Sequence, residues 1–158
     1  MIVAMTQNRV IGHNGTLIWD MKEDMKVFRE KTTGATVIMG KTTWDSLPEK
    51  FRPLPGRANI VLDWEKYELP GAIVCTSIEE SIAKAKEIGK TTFCIGGASI
   101  YKAFLPFTNI LHISWVKKEH EGNVLFPEFN LDEWNEVEST EFEEFVHKKY
   151  ERREKVIL

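Results

Sequence analysis

The chain is poor in the features that mark most specialised protein classes. Only 2 of its 158 residues are cysteine, too few for a disulfide-stapled secreted fold. Cys75 and Cys94 lie in the apolar segments "AIVC" and "TFCI", where buried thiols of a reducing compartment are expected. No run of about 18 apolar residues is present to span a bilayer, and "MIVAMTQNRVIG" at the start lacks a basic region and a cleavage site. A cytoplasmic protein with no membrane partner is the expectation. Positive charge is not in excess either. The formal net charge is −3, which argues against an electrostatic nucleic-acid binder, and "HKKYERREK" near the C-terminus reads as a solvated strand face. His13, His112, His120 and His147 show no metal-ligand spacing, so no metal is expected. Repeats, linkers and low-complexity segments are missing, which leaves one domain over residues 1–158.

What is present alternates. "MIVAM", "ATVIMG", "NIVL", "AIVC", "TTFCIGG" and "NILHISWV" are short apolar runs of the buried-strand type. Between them lie helical stretches: about 21–32, ending at Gly34; "KTTWDSL"; "SIEESIAKAKEIG", with the capping-box pattern Ser77-x-x-Glu80; and "ASIYKAFLPF". The last segments, "WNEVESTEFEEF" and "KKYERREKVIL", alternate polar and apolar as antiparallel strands do. The expected fold class is α/β: one central, mostly parallel twisted sheet of about eight strands with an antiparallel C-terminal edge, flanked by about four helices.

Two strand-to-helix junctions carry glycine at the turn. "VIMG" feeds Lys41, Thr42 and Thr43 after Gly40, and "FCIGG" feeds Ala98 and Ser99 after Gly96 and Gly97. Helix N-termini offer unpaired N–H donors, and glycine lets a phosphate approach the backbone. Neither junction matches the dinucleotide fingerprint or the P-loop, and each alone has a purely structural reading. Two of them at strand C-terminal ends imply a ligand with two or more phosphates, and a dinucleotide cofactor fits.

The stretch "IWDMKEDMKVFRE" holds a misplaced charge. At about 100° per residue from Asp24, Phe28 falls near +40°, Met21 near +60°, Val27 near −60° and Met25 near +100°. Asp24 is then the one acid inside the apolar arc. A first-turn helix acid is the bland explanation, although Asp20 is the better capping candidate. A carboxylate in an apolar setting has a raised pKa, which suits proton supply near neutral pH, and its two oxygens can accept from an amine or an N–C–N edge. A nicotinamide site beside such an acid suggests hydride transfer to a carbon–nitrogen double bond.

These pieces together resemble dihydrofolate reductase. The resemblance is carried by "NRVIG", Trp19 five residues before Asp24, Phe28 four after it, "VIMGKTTWDSL", "RPLPGRANIVL", "CIGGASIY" and "EGNVLFPEF", which occur in the family's order over nearly the whole chain. It implies NADPH-dependent reduction of 7,8-dihydrofolate to tetrahydrofolate by a chain expected to be monomeric, with antifolates as further ligands. Asp24, Trp19, Ser114 and Leu17 are the implied catalytic set: Asp24 accepts from the pterin's 2-amino group and N3 and promotes protonation at N5, Ser114 bridges the carboxylate and the pterin, and Trp19 holds a water beside the acid. Ile2, Val3, Ala4, Met25, Phe28, Leu47, Leu54 and Ile95 are the implied walls around the substrate rings, with Tyr101 nearby, and Arg57 pairs with the α-carboxylate of the glutamate tail. For the cofactor the resemblance implies Ala4, Ile11, Gly12, Leu17, Trp19, Thr43, Ile95 and Tyr101 around nicotinamide and its ribose. The two cradles, with Ile100 in the second, hold the phosphates, and Leu62, Asp63 and Trp64 lie on the adenosine side. The Gly96–Gly97 bond is a candidate cis peptide, and "GHNGTL" a lid over the nicotinamide.

Some positions depart from the family. Ile18 and Lys22 stand where prolines are usual, and Asn123 where many bacterial members have an aspartate that steadies the lid. Asp63, Trp64 and Ser99 replace residues that commonly hold the 2′-phosphate, leaving Lys41; an acid near the ribose ordinarily favours NAD. Two other readings stand beside the first: a pyrimidine reductase of flavin biosynthesis on the same fold, which would not need the acid on the first helix, and a non-catalytic pterin or nucleotide binder.

Overall fold

Apolar runs and amphipathic stretches alternate in the folded chain as they do in the sequence. The structure is a computed structural model that describes residues 1–12 and 19–158; most of the expected lid, with Leu17 and Ile18, lies outside the described residues. The order of elements is β1 (Ile2–Met5), β2 (Val10–Gly12), α1 (Lys22–Thr32), β3 (Thr36–Gly40), α2 (Lys41–Ser46), β4 (Ala58–Leu62) and β5 (Ala72–Cys75). Then come α3 (Ile78–Ile88), β6 (Thr92–Cys94), α4 (Ala98–Phe104), β7 (Ile110–Val116), β8 (Val124–Leu125), β9 (Trp134–Glu141) and β10 (Phe145–Arg152). The short strand β8, which pairs with β2, was not legible in "EGNVLFPEF".

The eight strands of the expected central sheet are present as two four-stranded ladders, β5-β4-β3-β6 and β1-β7-β10-β9. The first is parallel throughout, and the second is parallel at β1–β7 and antiparallel beyond it. β6 and β1, the facing edges of the ladders, share both main clusters of the core: Phe93 packs with Ile2 on one face, and Cys94 with Met1 and Val3 on the other. One pair of apolar layers thus covers both ladders. β3, "TVIMG", is buried at every position, as a parallel strand covered on both faces must be. β9 is the exposed edge, and its Glu136 and Glu138 pair with Lys148 and Lys149 of β10, so the basic C-terminal run is partly neutralised strand face. Cys75 and Cys94 are buried free thiols.

Helix ends follow the sequence unevenly. Ser77 caps α3, its Oγ accepting from the Glu80 N–H at 3.0 Å, and Gly89 closes the helix in the left-handed conformation. The return bond of the box is displaced: Glu80 Oε1 accepts from the Thr76 N–H at 3.1 Å, one residue ahead of the cap. Asp20 does not cap α1. The cap position is Met21, without a side-chain bond, because Met21 is drawn into the core at 4% exposure. Asp24 falls in the first turn, where the helix dipole favours negative charge.

Ser77→Ala should cost about 1 kcal/mol of stability, a fall in Tm of roughly 2–4 °C for a chain of this size. Thermal unfolding followed by circular dichroism checks it, and an unchanged Tm would remove the cap from the account of α3.

Candidate active site

β7 positions the site. It lies between β1 and β10, and its side chains alternate between two buried faces. Leu111 and Ile113 enter the larger cluster on one face; His112 and Ser114, two residues apart, share the other. In register with them, β1 contributes Ile2 opposite His112 and Ala4 opposite Ser114, and β10 contributes His147 opposite Ser114. Around Ser114 the face therefore carries the small Ala4 and the polar His147, with Ile2 beside His112.

Asp24 reaches this face from α1. Its Oδ1 accepts a hydrogen bond from Ser114 Oγ at 2.6 Å, a length typical of a hydroxyl donating to a carboxylate. Burial raises the pKa of Asp24 above the ordinary carboxylate range, and the bond from Ser114 opposes the rise. The sequence placed Asp24 inward, and the bond to a strand 90 residues away separates it from an ordinary first-turn acid. Ser114 Oγ also lies 2.8 Å from His147 Nδ1. Sequence reasoning missed that partner. The only signal was an inward position in β10, legible once its pairing with β7 is known.

The implied walls divide. Ile2, Phe28, Leu47, Leu54 and Ile95 gather in one cluster with Trp44 and Phe93. Ala4 belongs to the adjoining cluster with Trp19 and Met21, and the Trp19 ring lies 5.5 Å from that of His120. Val3 does not join the wall: strand alternation turns its side chain into the cluster on the opposite face. Met25 is not packed inward; at the rim of the apolar arc it is 58% exposed. Arg57 is held in place, Nε donating to Pro55 O at 2.9 Å and Nη1 to Thr32 Oγ1 at 3.1 Å, with the guanidinium 5.8 Å from the centre of the Phe28 ring. Burial and the nearby charge of Arg29 lower its pKa, a field that an anion would relieve.

The two glycine junctions stand side by side because β3 and β6 are parallel neighbours, so their C-terminal ends share one edge. Gly40 N–H donates to Gly96 O at 2.9 Å. α2 and α4 start at these junctions with no side-chain cap, which leaves their first N–H groups to a ligand. The Gly96–Gly97 bond is cis, as anticipated. Gly96 has φ +108°, and a Cβ there would stand 2.9 Å from the Tyr101 ring; one on Gly40 would stand 3.0 Å from Ile100. On the open side, a Cβ at Gly97 would lie 3.7 Å from Thr43 Oγ1, so the second cradle faces the first. Thr42 and Ser99 are exposed, available to a ligand. A pyrophosphate fits this paired arrangement.

Other implied cofactor residues are committed elsewhere. Ile11, Leu62, Ala98 and Ile100 direct their side chains into the larger cluster, so any contact they make with a ligand is through backbone. Gly12 closes β2. The Tyr101 hydroxyl is buried and donates to Ile2 O at 2.9 Å. Lys41 Nζ is bound to Asp45 at 2.7 Å. Asp63 accepts from the Trp64 N–H at 2.7 Å and the Tyr67 hydroxyl at 2.6 Å; those two bonds and the charge of Lys41 lower its pKa. Trp64 is 93% exposed.

Comparison with known proteins agrees with this geometry. Residues 1–156 match the family model described as dihydrofolate reductase. The dihydrofolate reductase HdrB of Haloferax volcanii is 35% identical over 98% of this chain and 83% of its own length. That of Haemophilus influenzae is 37% identical over 90% and 86%. The solved structure of the Enterococcus faecalis dihydrofolate reductase, complexed with NADP(H) and RAB-propyl, superimposes with a TM-score of 0.84 at 31% identity, covering 97% of this chain and 95% of that one. A carboxylate and hydroxyl pair beside an apolar slot, paired glycine cradles and these matches lead to one conclusion: the chain belongs to the dihydrofolate reductase family.

Proposed function

We infer that the protein is an NADPH-dependent dihydrofolate reductase that converts 7,8-dihydrofolate to 5,6,7,8-tetrahydrofolate, with Asp24 as its acid. The observation that carries the reading is the bond between Asp24 and Ser114 on a face lined by Ile2 and Ala4. Bound NADPH supplies the hydride. The protein orients the rings and manages the proton. Asp24 Oδ2 and Oδ1 accept from the pterin's 2-amino group and N3, Ser114 steadies the carboxylate, and the charge so placed favours protonation at N5. Ile2, Phe28, Leu47, Leu54 and Ile95 exclude water from the rings, and Arg57 pairs with the glutamate α-carboxylate, for which its anchored guanidinium is preset. Antifolates presenting the same N–C–N edge would take the same place. The reading rests against the pyrimidine reductase alternative on Asp24 and Phe28, and against a passive binder on the retention of acid, hydroxyl and both cradles. It treats residues 1–158 as one domain acting as a monomer in the cytoplasm, consistent with a family match over residues 1–156 and two unpaired thiols.

Purified protein should oxidise NADPH only when dihydrofolate is present, followed by absorbance; ligand binding without turnover would favour the passive binder. Asp24→Asn should keep the fold and lower turnover at neutral pH by about 10² or more. Because N5 must gain a proton and the pKa of Asp24 lies above the ordinary carboxylate range, wild-type turnover should fall as pH rises. Unchanged turnover in the variant would remove Asp24 from its role.

Cofactor choice makes a separate test. Asp63 places a negative charge on the adenosine side, and Lys41 is shared with Asp45, so discrimination for the 2′-phosphate should be weak while NADPH remains preferred. Ratios of kcat/KM for NADPH and NADH measure this; equal or better use of NADH defeats the preference. Asp63→Ser should widen the ratio towards NADPH.

A further inference from the structure

Behind Ser114 the polar chain continues into the core. His147 Nδ1 lies 2.8 Å from Ser114 Oγ, and His147 Nε2 lies 3.4 Å from His112 Nδ1. The two imidazoles stack at 5.6 Å between ring centres, and Phe93 closes the far side of His112 at 5.7 Å. His147 is 5% and His112 8% exposed. Four polar side chains thus run Asp24–Ser114–His147–His112, the last lining a separate cavity of about 330 Å³ near Met1, Phe93 and Leu158. Two stacked buried imidazoles are a costly way to fill a core unless each nitrogen has a partner.

The protons can be placed by counting. The Ser114 hydroxyl has one proton, and its 2.6 Å contact with Asp24 Oδ1 commits that proton to the ionised carboxylate. The oxygen can then only accept from His147, so Nδ1 of His147 carries its hydrogen. A neutral imidazole protonated at Nδ1 has a lone pair at Nε2, and this meets His112 Nδ1, which must therefore be the donor. Every hydrogen points towards Asp24. Both rings are neutral: burial pushes His147 down to about 4 and His112 to about 3. The charges facing them act in the same direction, namely Lys31 of α1 and Lys149 of β10, while burial pushes the Met1 amine ahead of β1 down to about 6, so that it is mostly neutral at pH 7. Asp24 is the anion at the other end of the chain, and Tyr101 keeps its proton on Ile2 O.

We propose that His147 is a positioning residue for Asp24: as a neutral Nδ1–H donor it holds the Ser114 hydroxyl on the carboxylate, and His112 fixes its tautomer. Donors aligned in one direction polarise each other and strengthen the bond that reaches the charge. The chain therefore offsets part of the burial that would otherwise drive the acid's pKa higher, and it sets the pH at which Asp24 changes charge. The proposal rests on Asp24 being the acid of the reaction.

The test is the pH dependence of kcat with NADPH and dihydrofolate, measured with Asp24→Asn as control. His147→Phe fills the ring's place without a donor and should move the apparent pKa of the Asp24-dependent transition upward by about 0.5–1 unit. His147→Gln retains an N–H for Ser114 and should bring it most of the way back. His112→Phe should raise it by less than His147→Phe. An unmoved transition in His147→Phe overturns the proposal, as does a change confined to KM or Tm. A wild-type transition that persists in Asp24→Asn overturns the reading of Asp24 itself, and this inference with it. Should His147→Phe fail to fold, ¹⁵N–¹H correlation spectra of wild-type imidazoles decide: His147 protonated at Nδ1 supports the proposal, and protonation at Nε2 overturns it.

Discussion

The bond from Ser114 to Asp24 is the constraint on which the site depends. It joins the first turn of α1 to the middle of β7 across 90 residues of sequence. Two opposed tendencies act on the acid: burial favours the neutral form, while the hydroxyl and the helix N-terminus favour the charged one. Neither end can be moved independently. α1 is drawn down by Met21, Val27 and Phe28, and β7 is locked between β1 and β10. The carboxylate is thus held by apolar packing at a place that packing alone would reject. Ala4, the register partner of Ser114 on β1, packs with the cluster of Met21, Val116 and Phe145 beside it.

Sheet order supplies the second half of the site. Because β3 and β6 are parallel and adjacent, the chain brings two glycine turns from distant segments to one edge, joined by Gly40 N–H to Gly96 O. The crowding at Gly40 and Gly96 has a common origin. Ile100 and Tyr101, on the first turns of α4, fold back over the junctions, so the surfaces that pack α4 against the ladders also exclude side chains from the cradles. Core packing and ligand access are here two results of one geometry.

Much of this was legible in the sequence, for local reasons. Asp24 declared itself by falling in the apolar arc of a helix, and the glycine junctions by ending apolar runs. Buried strands announced themselves by continuous apolar character, whereas β8, a two-residue pairing, has no periodicity to read. Met25 was misplaced because a wheel assigns direction and not depth: at the rim of the arc, +100° was already outside the packed face. Val3 was misplaced for a complementary reason, since strand neighbours alternate and Ile2 had taken the site face. The capping role given to Asp20 yielded to the burial of Met21 one residue later. His112 and His147 could not have been paired from sequence at all, because their contact is created by the register of β7 with β10, and antiparallel register is a long-range property.

The proposed adenosine side illustrates how local charge limits what a cradle can do. Lys41 follows the first glycine turn, yet Asp45 lies 2.7 Å from its Nζ and Asp63 adds a second acid within its field. With Arg52 4.0 Å from the same Asp45 oxygen, the two cations and two acids cancel. A dianion placed there would gain little from Coulomb attraction unless Lys41 left Asp45, an exposed pair of the kind that contributes at most about 1 kcal/mol and so can open. On the proposed reading, cofactor affinity comes chiefly from the paired glycine turns, whose donors belong to the backbone and are not neutralised by neighbouring acids. Asp63 meanwhile has both oxygens occupied, by Tyr67 and its own loop. It is held as part of the loop's structure, and a ribose hydroxyl would have to compete for it. On the proposed reading the charge of Asp63 opposes the extra phosphate, while the hydrogen bonds it already makes weaken what it can offer a ribose hydroxyl.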